Sequence, residues 1–277
     1  MAQLAGIEVS GVSIAGLETC IDLPEWKLCF DLGRAQYFAL ARPLVLFTHP
    51  HMDHLGAIGW HCATRAMRGM REPTYVVGPE YVQPLQKLFE AWRELDGSRM
   101  PHRLVPLAPG EEFELGHQRV ARAFRSYHRV PCQGYVISER RQKLRAEFRS
   151  LSGPQIVERR AAGDTELFEQ QETPLVAFCG DTLIEVLERE ESVRRARVLV
   201  LECSFVDERV SVEEARAMGH VHLDEIVERA ELFGNQAVLL THFSERYSSR
   251  EILAALDAKL PPALRAKVTP LLAGRRN

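Results

Sequence analysis

The chain is 277 residues long, 45% apolar and 26% charged, an ordinary globular composition that suffices for one large α/β domain with its own core. Its 35 Lys and Arg stand against 38 Asp and Glu, a formal net charge of −3, so the molecule as a whole does not attract polyanions and a nucleic acid would have to be held by a local basic surface. No apolar stretch approaches a membrane span, residues 1–6 lack the basic start and apolar core of an export signal, and Cys20, Cys29, Cys62, Cys132, Cys179 and Cys203 lie mostly in apolar runs without C-x-x-C spacing, so a soluble protein of the reducing cytoplasm is expected.

Apolar runs of strand length come first, over 6–14, 18–23, 27–31 and 44–48. The last leads into Thr48-His49-Pro50-His51-Met52-Asp53-His54, three imidazoles and a carboxylate within six residues. A loop leaving a strand's C-terminal end is where open α/β sheets bind ligands, and neutral imidazole beside a carboxylate suits zinc and similar divalent cations. Helices are predicted over 56–68 and 84–95, the second stopped by Gly97, with a strand over 74–77 between them. Strands follow over 120–127 and 134–138.

Between Ser138 and Glu172 the composition changes. Arg140, Arg141, Lys143, Arg145, Arg149, Arg159 and Arg160 appear with breaks at Gly153-Pro154 and Gly163 and little apolar periodicity, an excursion from the core that reads from charge alone as a solvated surface as readily as a binding arm. Strands over 175–179, 198–202 and 237–241 come next, with helices over 223–232 and 250–260, the last opened by Ser248 and Glu251 as a capping box. This order implies mixed sheets packed on each other with helices outside.

Further strand ends carry metal-binding side chains: His128 after 120–127, Asp181 after 175–179 and the turn-permitting Gly180, and His242 after 237–241. A single histidine in such a place is most often structural, but four strand-end sites of matching chemistry point to one centre. The set accommodates two cations, with His49, His51 and His128 on one, Asp53, His54 and His242 on the other, and Asp181 bridging. Two cations roughly 3.5 to 4 Å apart are the usual clamp on the attacking and leaving oxygens of a displacement.

Carrying these residues, the chain resembles the metallo-β-lactamase superfamily and, within it, the ribonuclease Z family of endonucleases that remove 3′ trailers from precursor tRNA. Beyond Thr48 to His54, the resemblance rests on Gly16-Leu17-Glu18-Thr19-Cys20, Phe30-Asp31-Leu32-Gly33, Gly134-Tyr135, Leu151-Ser152-Gly153-Pro154, Phe178-Cys179-Gly180-Asp181-Thr182, Glu202-Cys203-Ser204-Phe205, Gly219-His220 and Thr241-His242-Phe243-Ser244-Glu245-Arg246-Tyr247, nearly the full length. It implies an α/β fold, a four-layer αβ/βα sandwich of two mixed β-sheets flanked by helices, as a single domain over 1–277.

The resemblance also implies two divalent metal ions on the seven ligands named, most often zinc, although His and Asp accept manganese and iron as well. It implies that His220 faces the scissile phosphate with Glu202 orienting it, and that Asp31 is a buried acid orienting a ligand or loop. Asp53 would orient the attacking water and accept its proton, and the products would be a tRNA ending in 3′-hydroxyl and a trailer with 5′-phosphate. Without the resemblance, Glu202 reads as a buried acid and His220 as a helix-start residue. His222 reads as a local helix-start or loop contact with no assigned role.

Members of the family hold tRNA with an extension inserted between the His128 and Asp181 positions. Here that segment is 139–172, a candidate basic arm offering Arg140, Arg141, Lys143, Arg145 and Arg149, shorter than in many bacterial members. The resemblance further implies a homodimer in which one subunit's arm serves the other's metals. The competing reading is a small-molecule phosphodiesterase, for example on cyclic nucleotides, using the same metals without an RNA-holding arm. An ester, lactone or thioester hydrolase, or a binding protein that has lost catalysis, are further alternatives that the basic segment and the presence of Asp53 and His220 argue against.

Overall fold

The computed structural model describes residues 2–275, so positions 1, 276 and 277 of the expected domain lie outside the described residues. The first sheet takes its strands in chain order: β1 Ala2–Leu4, β2 Ile7–Ile14, β3 Glu18–Leu23, β4 Leu28–Phe30, β5 Leu44–Leu46, β6 Thr74–Val77 and β7 Arg103–Pro106. The second does the same with β8 Glu112–Gly116, β9 Arg119–Ser126, β10 Cys132–Leu144, β11 Phe168–Phe178, β12 Val198–Glu202, β13 Ala237–Thr241 and β14 Val268–Pro270. Each begins antiparallel and ends parallel, the change falling at β4 in one and β11 in the other.

Alternation along the strands explains the layers. In β12, Val198 and Val200 face the core between the sheets, while Leu199 and Leu201 face the core under the helices Leu223–Glu228 and Ser249–Lys259. A strand covered on both sides reads as an unbroken apolar run, which is why this one was visible in the sequence. Between the sheets, Phe30 and Phe178 stack with ring centroids 4.8 Å apart. On the outer side of the first sheet, Val45, Phe47, Tyr75 and Val77 pack with Ile58, Cys62 and Phe89 from the helices Ile58–Met67 and Pro79–Asp96. Full burial of each such side chain is worth about 1.5–3 kcal/mol. The expected four layers, two mixed sheets between helices, are the observed ones.

Several boundaries differ from expectation. The helix expected over 56–68 is a short turn of helix, Met52–Leu55, followed by Ile58–Met67, because the histidine loop itself turns helical. The helix expected over 84–95 starts at Pro79, also a proline suited to a first helical position, and Pro84 lies inside it. The exposed β7 and the three-residue β1 and β14 carry too little apolar alternation to be read from the sequence, whereas β8 does alternate, Phe113 and Leu115 facing the core.

The excursion at 139–172 is a ribbon. β10 and β11 continue past the core, paired from Glu139 with Thr173 to Leu144 with Phe168, and the tip carries the helix Gly153–Ala161. The ribbon shows no apolar alternation because its cross-strand partners are polar, Arg140 facing Glu172 and Lys143 facing Glu169. Among the described residues no helix is long and apolar enough to cross a membrane.

Candidate active site

Donor side chains gather where strands of both sheets end. The loop after β5 brings His49, His51, Asp53 and His54; β9, β11 and β13 deliver His128, Asp181 and His242. His49 Nε2 lies 3.0 Å from His51 Nδ1, and His128 Nε2 lies 3.3 Å from that same atom, with Asp181 Oδ2 3.6 Å from His49 Nε2. Beside this group, His54 Nε2 and His242 Nε2 are 3.3 Å apart, His242 Nε2 is 3.4 Å from Asp53 Oδ2, and Asp181 Oδ1 is 3.2 Å from His54 Nε2. Asp181 thus gives one oxygen to each group. Nitrogen lone pairs facing one another at such distances repel unless a proton or a cation lies between them, and His/Asp groups so gathered form a divalent-metal site.

The fit to cations is written in the hydrogen bonds on the far side of each ring. His128 Nδ1–H donates to the Gly219 carbonyl at 2.8 Å. The Thr48 hydroxyl donates to Asp31 at 2.8 Å, so its oxygen is left to accept from His49 Nδ1 at 3.0 Å. His54 Nδ1 donates to the same Asp31 oxygen at 2.8 Å. The Ser204 hydroxyl donates to Glu202 at 2.7 Å and accepts from His242 Nδ1 at 3.1 Å. In all four rings the proton is held outward and the Nε2 lone pair faces the centre, the arrangement a metal ligand needs.

Electrostatics agree. Burial, with neighbouring His54, drives the His49 imidazole well below its ordinary pKa, and burial with His128 lowers His51, so both stay neutral. Burial opposes the charge of Asp181, but His242 and His54 hold it well below the carboxylate range. His54 goes the other way: against its burial, Asp181 and Asp31 raise it, so a cation entering here competes with a proton.

Three backbone positions aim these groups. His242 has φ 60° and Asp31 φ 55°, left-handed conformations costing about 1–3 kcal/mol each in non-glycine residues. Gly219 has φ 83°, and a Cβ there would stand 2.7 Å from His128 Nδ1, so its carbonyl reaches the ring only because the residue is glycine.

Glu202, at the end of β12, is a hub. One oxygen accepts from the Thr182 backbone at 2.9 Å and from His220 Nδ1 at 2.9 Å; the other accepts from Ser204 and, at 3.2 Å, from the Val221 backbone. Burial works against the His220 charge, but Glu202 more than offsets it and raises that imidazole to about 9. His220 and Glu202 stand in one cluster with Asp181 and His242.

The expected arm residues lie elsewhere, on the ribbon. Arg140 is paired with Glu112 and Glu172, Arg141 with Glu139, and Arg145 with Glu166; Lys143 and Arg149 have no ion-pair partner among the described residues. His222 caps the helix Leu223–Glu228, its ring accepting from Asp224 N at 3.1 Å. Sequence reasoning gave no role to Thr48, Ser204 or the Gly219 carbonyl, nor to Gly16, whose N–H holds Asp53 Oδ2 at 2.8 Å. A hydroxyl two residues past a strand-end acid was the available signal for Ser204.

No protein-family model matches the chain. It is 40% identical to tRNase Z TRZ1 of Arabidopsis thaliana over 274 residues, covering 98% of this chain and 97% of that one. It is 38% identical to the chloroplastic tRNase Z TRZ2 of the same plant, covering 99% and 78%. Among solved structures it is similar to the metallo-β-lactamase fold protein YhfI of Bacillus subtilis, with TM-score 0.64, 15% identity and 96% and 97% coverage. It is similar also to the short form of human tRNase Z, with TM-score 0.60, 17% identity and 87% and 93% coverage. With the structural likenesses giving the metallo-β-lactamase fold and end-to-end identity of this order giving the branch, the chain belongs to the tRNase Z family.

Proposed function

We propose that this protein is a metal-dependent endoribonuclease that removes 3′ trailers from precursor tRNA, leaving 3′-hydroxyl on the tRNA and 5′-phosphate on the trailer. The observation that carries the reading is the convergence of seven donors on one centre, with four imidazoles turned lone pair inward, beside the Glu202–His220 pair. His49, His51 and His128 would hold one divalent ion, Asp53, His54 and His242 another, and Asp181 both. Such ions supply charge to the phosphate and lower the pKa of a water from about 15.7 to about 7.

The chain's own residues do the rest. Asp53, steadied by Gly16 N–H, orients the attacking water and takes its proton. The water oxygen bonds to phosphorus, the bond from phosphorus to O3′ breaks, and His220, kept protonated by Glu202, passes its proton to the departing oxygen, a contribution of about 10²- to 10⁴-fold. Asp31 contributes by fixing the rings of His54 and, through Thr48, His49.

The imidazole-rich donor set favours zinc, and six free cysteines suit the cytoplasm. The chain is read as one hydrolase domain with 139–172 as its tRNA-holding arm. On that arm Lys143 and Arg149 meet phosphate freely, whereas Arg140, Arg141 and Arg145 must first leave a carboxylate. The homodimer is part of the same reading, and light scattering tests it.

Similarity along the whole chain to proteins named tRNase Z favours RNA over a small phosphodiester as substrate. Purified protein is incubated with a 3′-extended precursor tRNA and, separately, with bis(p-nitrophenyl) phosphate and cyclic AMP, with metal analysis of the same sample. Cleavage of the small esters alone overturns the proposal.

A further inference from the structure

A groove of about 590 Å³ opens from the metal centre at His128 and Gly219 and runs beside Arg125, Tyr127, Arg129 and Pro131. A smaller neighbouring pocket shares His128 and Arg129 and reaches His51 and His220, so the groove is continuous with the proposed site of cleavage. Its charges are Arg125, Arg129, Arg216 and Glu80, and Arg216 is neutralised by Glu185 and Glu225. Arg125 and Arg129 are exposed and have no ion-pair partner among the described residues.

Several other arginines are tied to carboxylates, Arg42 to Asp22, Arg122 to Glu190, Arg209 to Asp207 and Arg229 to Glu188, besides those of the ribbon. Arg189, also exposed and unpaired among the described residues, joins the other two through Tyr127: the Arg125 guanidinium lies 5.6 Å and the Arg189 guanidinium 5.1 Å from the centroid of that ring. The aromatic face holds two cations in place without consuming their N–H donors. Free donors on planar groups, next to a catalytic centre, bind phosphate and stack with unpaired bases.

We infer that the groove along Arg125, Tyr127 and Arg129, with Arg189 held against Tyr127 at its side, binds the unpaired nucleotides flanking the scissile phosphodiester of the RNA. The inference rests on the proposed endonuclease reading and extends it to how the strand is seated. Guanidiniums without carboxylate partners meet the backbone with no internal ion pair to break, and Tyr127, next in sequence to His128, ties the seat to the metal centre.

The experiment measures the kinetics of the metal-loaded protein on precursor tRNA as a function of salt, comparing wild type with the triple variant R125A/R129A/R189A and its Lys counterpart. The expected result is a KM higher by roughly tenfold for the Ala variant, with the slope of log(kcat/KM) against log[salt] shallower by about 2, since each single-strand phosphate contact contributes about 0.7. The Lys variant recovers most of the slope. Substrates with a one-nucleotide and with a long trailer distinguish the sources: an effect lost with the short trailer assigns the groove to trailer nucleotides, and one retained assigns it to the tRNA 3′ end. KM and slope equal to wild type in the Ala variant, or no recovery with Lys, overturn the inference. Wild-type protein that fails to cut precursor tRNA at all overturns instead the reading on which it rests.

Discussion

The metal pocket and the ribbon carry comparable densities of charged groups, yet they are built on opposite terms. In the pocket, four of the five rings have one partner outside and the centre inside, so removing one group leaves another unsatisfied. In the ribbon, Arg140, Arg141 and Arg145 are partly or largely exposed and paired with nearby carboxylates, where an exposed ion pair is worth about 0–1 kcal/mol. The pocket is therefore intolerant of single changes and the ribbon forgiving of them.

The largest break falls on Asp181. D181A removes the oxygens shared between the two donor groups, so precursor cleavage drops to background and the bound metal measured by mass spectrometry falls with it; full metal content with normal turnover would place the centre elsewhere. H220A spares the donors and costs only the proton transfer, a loss of about 10²- to 10⁴-fold in kcat at unchanged metal content.

The pH profile sharpens the point. Because Glu202 raises His220 to about 9, its acid form is present below that pH and lost above it, so kcat declines on the alkaline side of about 9. E202Q moves that limb to lower pH; a limb that does not move denies the pair its role.

Smaller is the effect of Ser204, whose hydroxyl fixes which nitrogen of His242 carries the proton. S204A weakens metal binding by about 10- to 100-fold in chelator competition, while S204T, which keeps the hydroxyl, restores it. Smallest are single changes on the ribbon. R140A or R145A alters KM for precursor tRNA by under about threefold, since a paired guanidinium is already half spent on its carboxylate, and K143A does as much or more without one. Equal losses at Arg140 and Lys143 of tenfold or more would show that the ribbon's ion pairs open on binding.

The pocket was more legible in the sequence than the ribbon for the same physical reasons. Its donors follow strands buried on both faces, whose apolar runs and terminal His or Asp can be seen without knowing the partners; β12, β13 and their neighbours were found this way. What supports the donors was not visible, because it depends on contacts across the chain: Ser204 reaches His242 over 38 residues and Gly219 reaches His128 over 91. The ribbon was detected by composition but not recognised as β-structure, since pairing Arg140 with Glu172 leaves no apolar alternation to read. The unpaired state of Arg125 and Arg129 is likewise invisible in a chain where acids and bases nearly balance.

The first sheet ends at β7 and the second begins at β8, so each half of the polypeptide builds one sheet, and the centre draws His49 and His54 from one and Asp181 and His242 from the other. Neither half can assemble the centre alone. A cation held there acts as a rivet across the seam: at a thousand times its dissociation constant it adds about 4 kcal/mol against separation of the halves, so chelation lowers the melting temperature as well as silencing the enzyme.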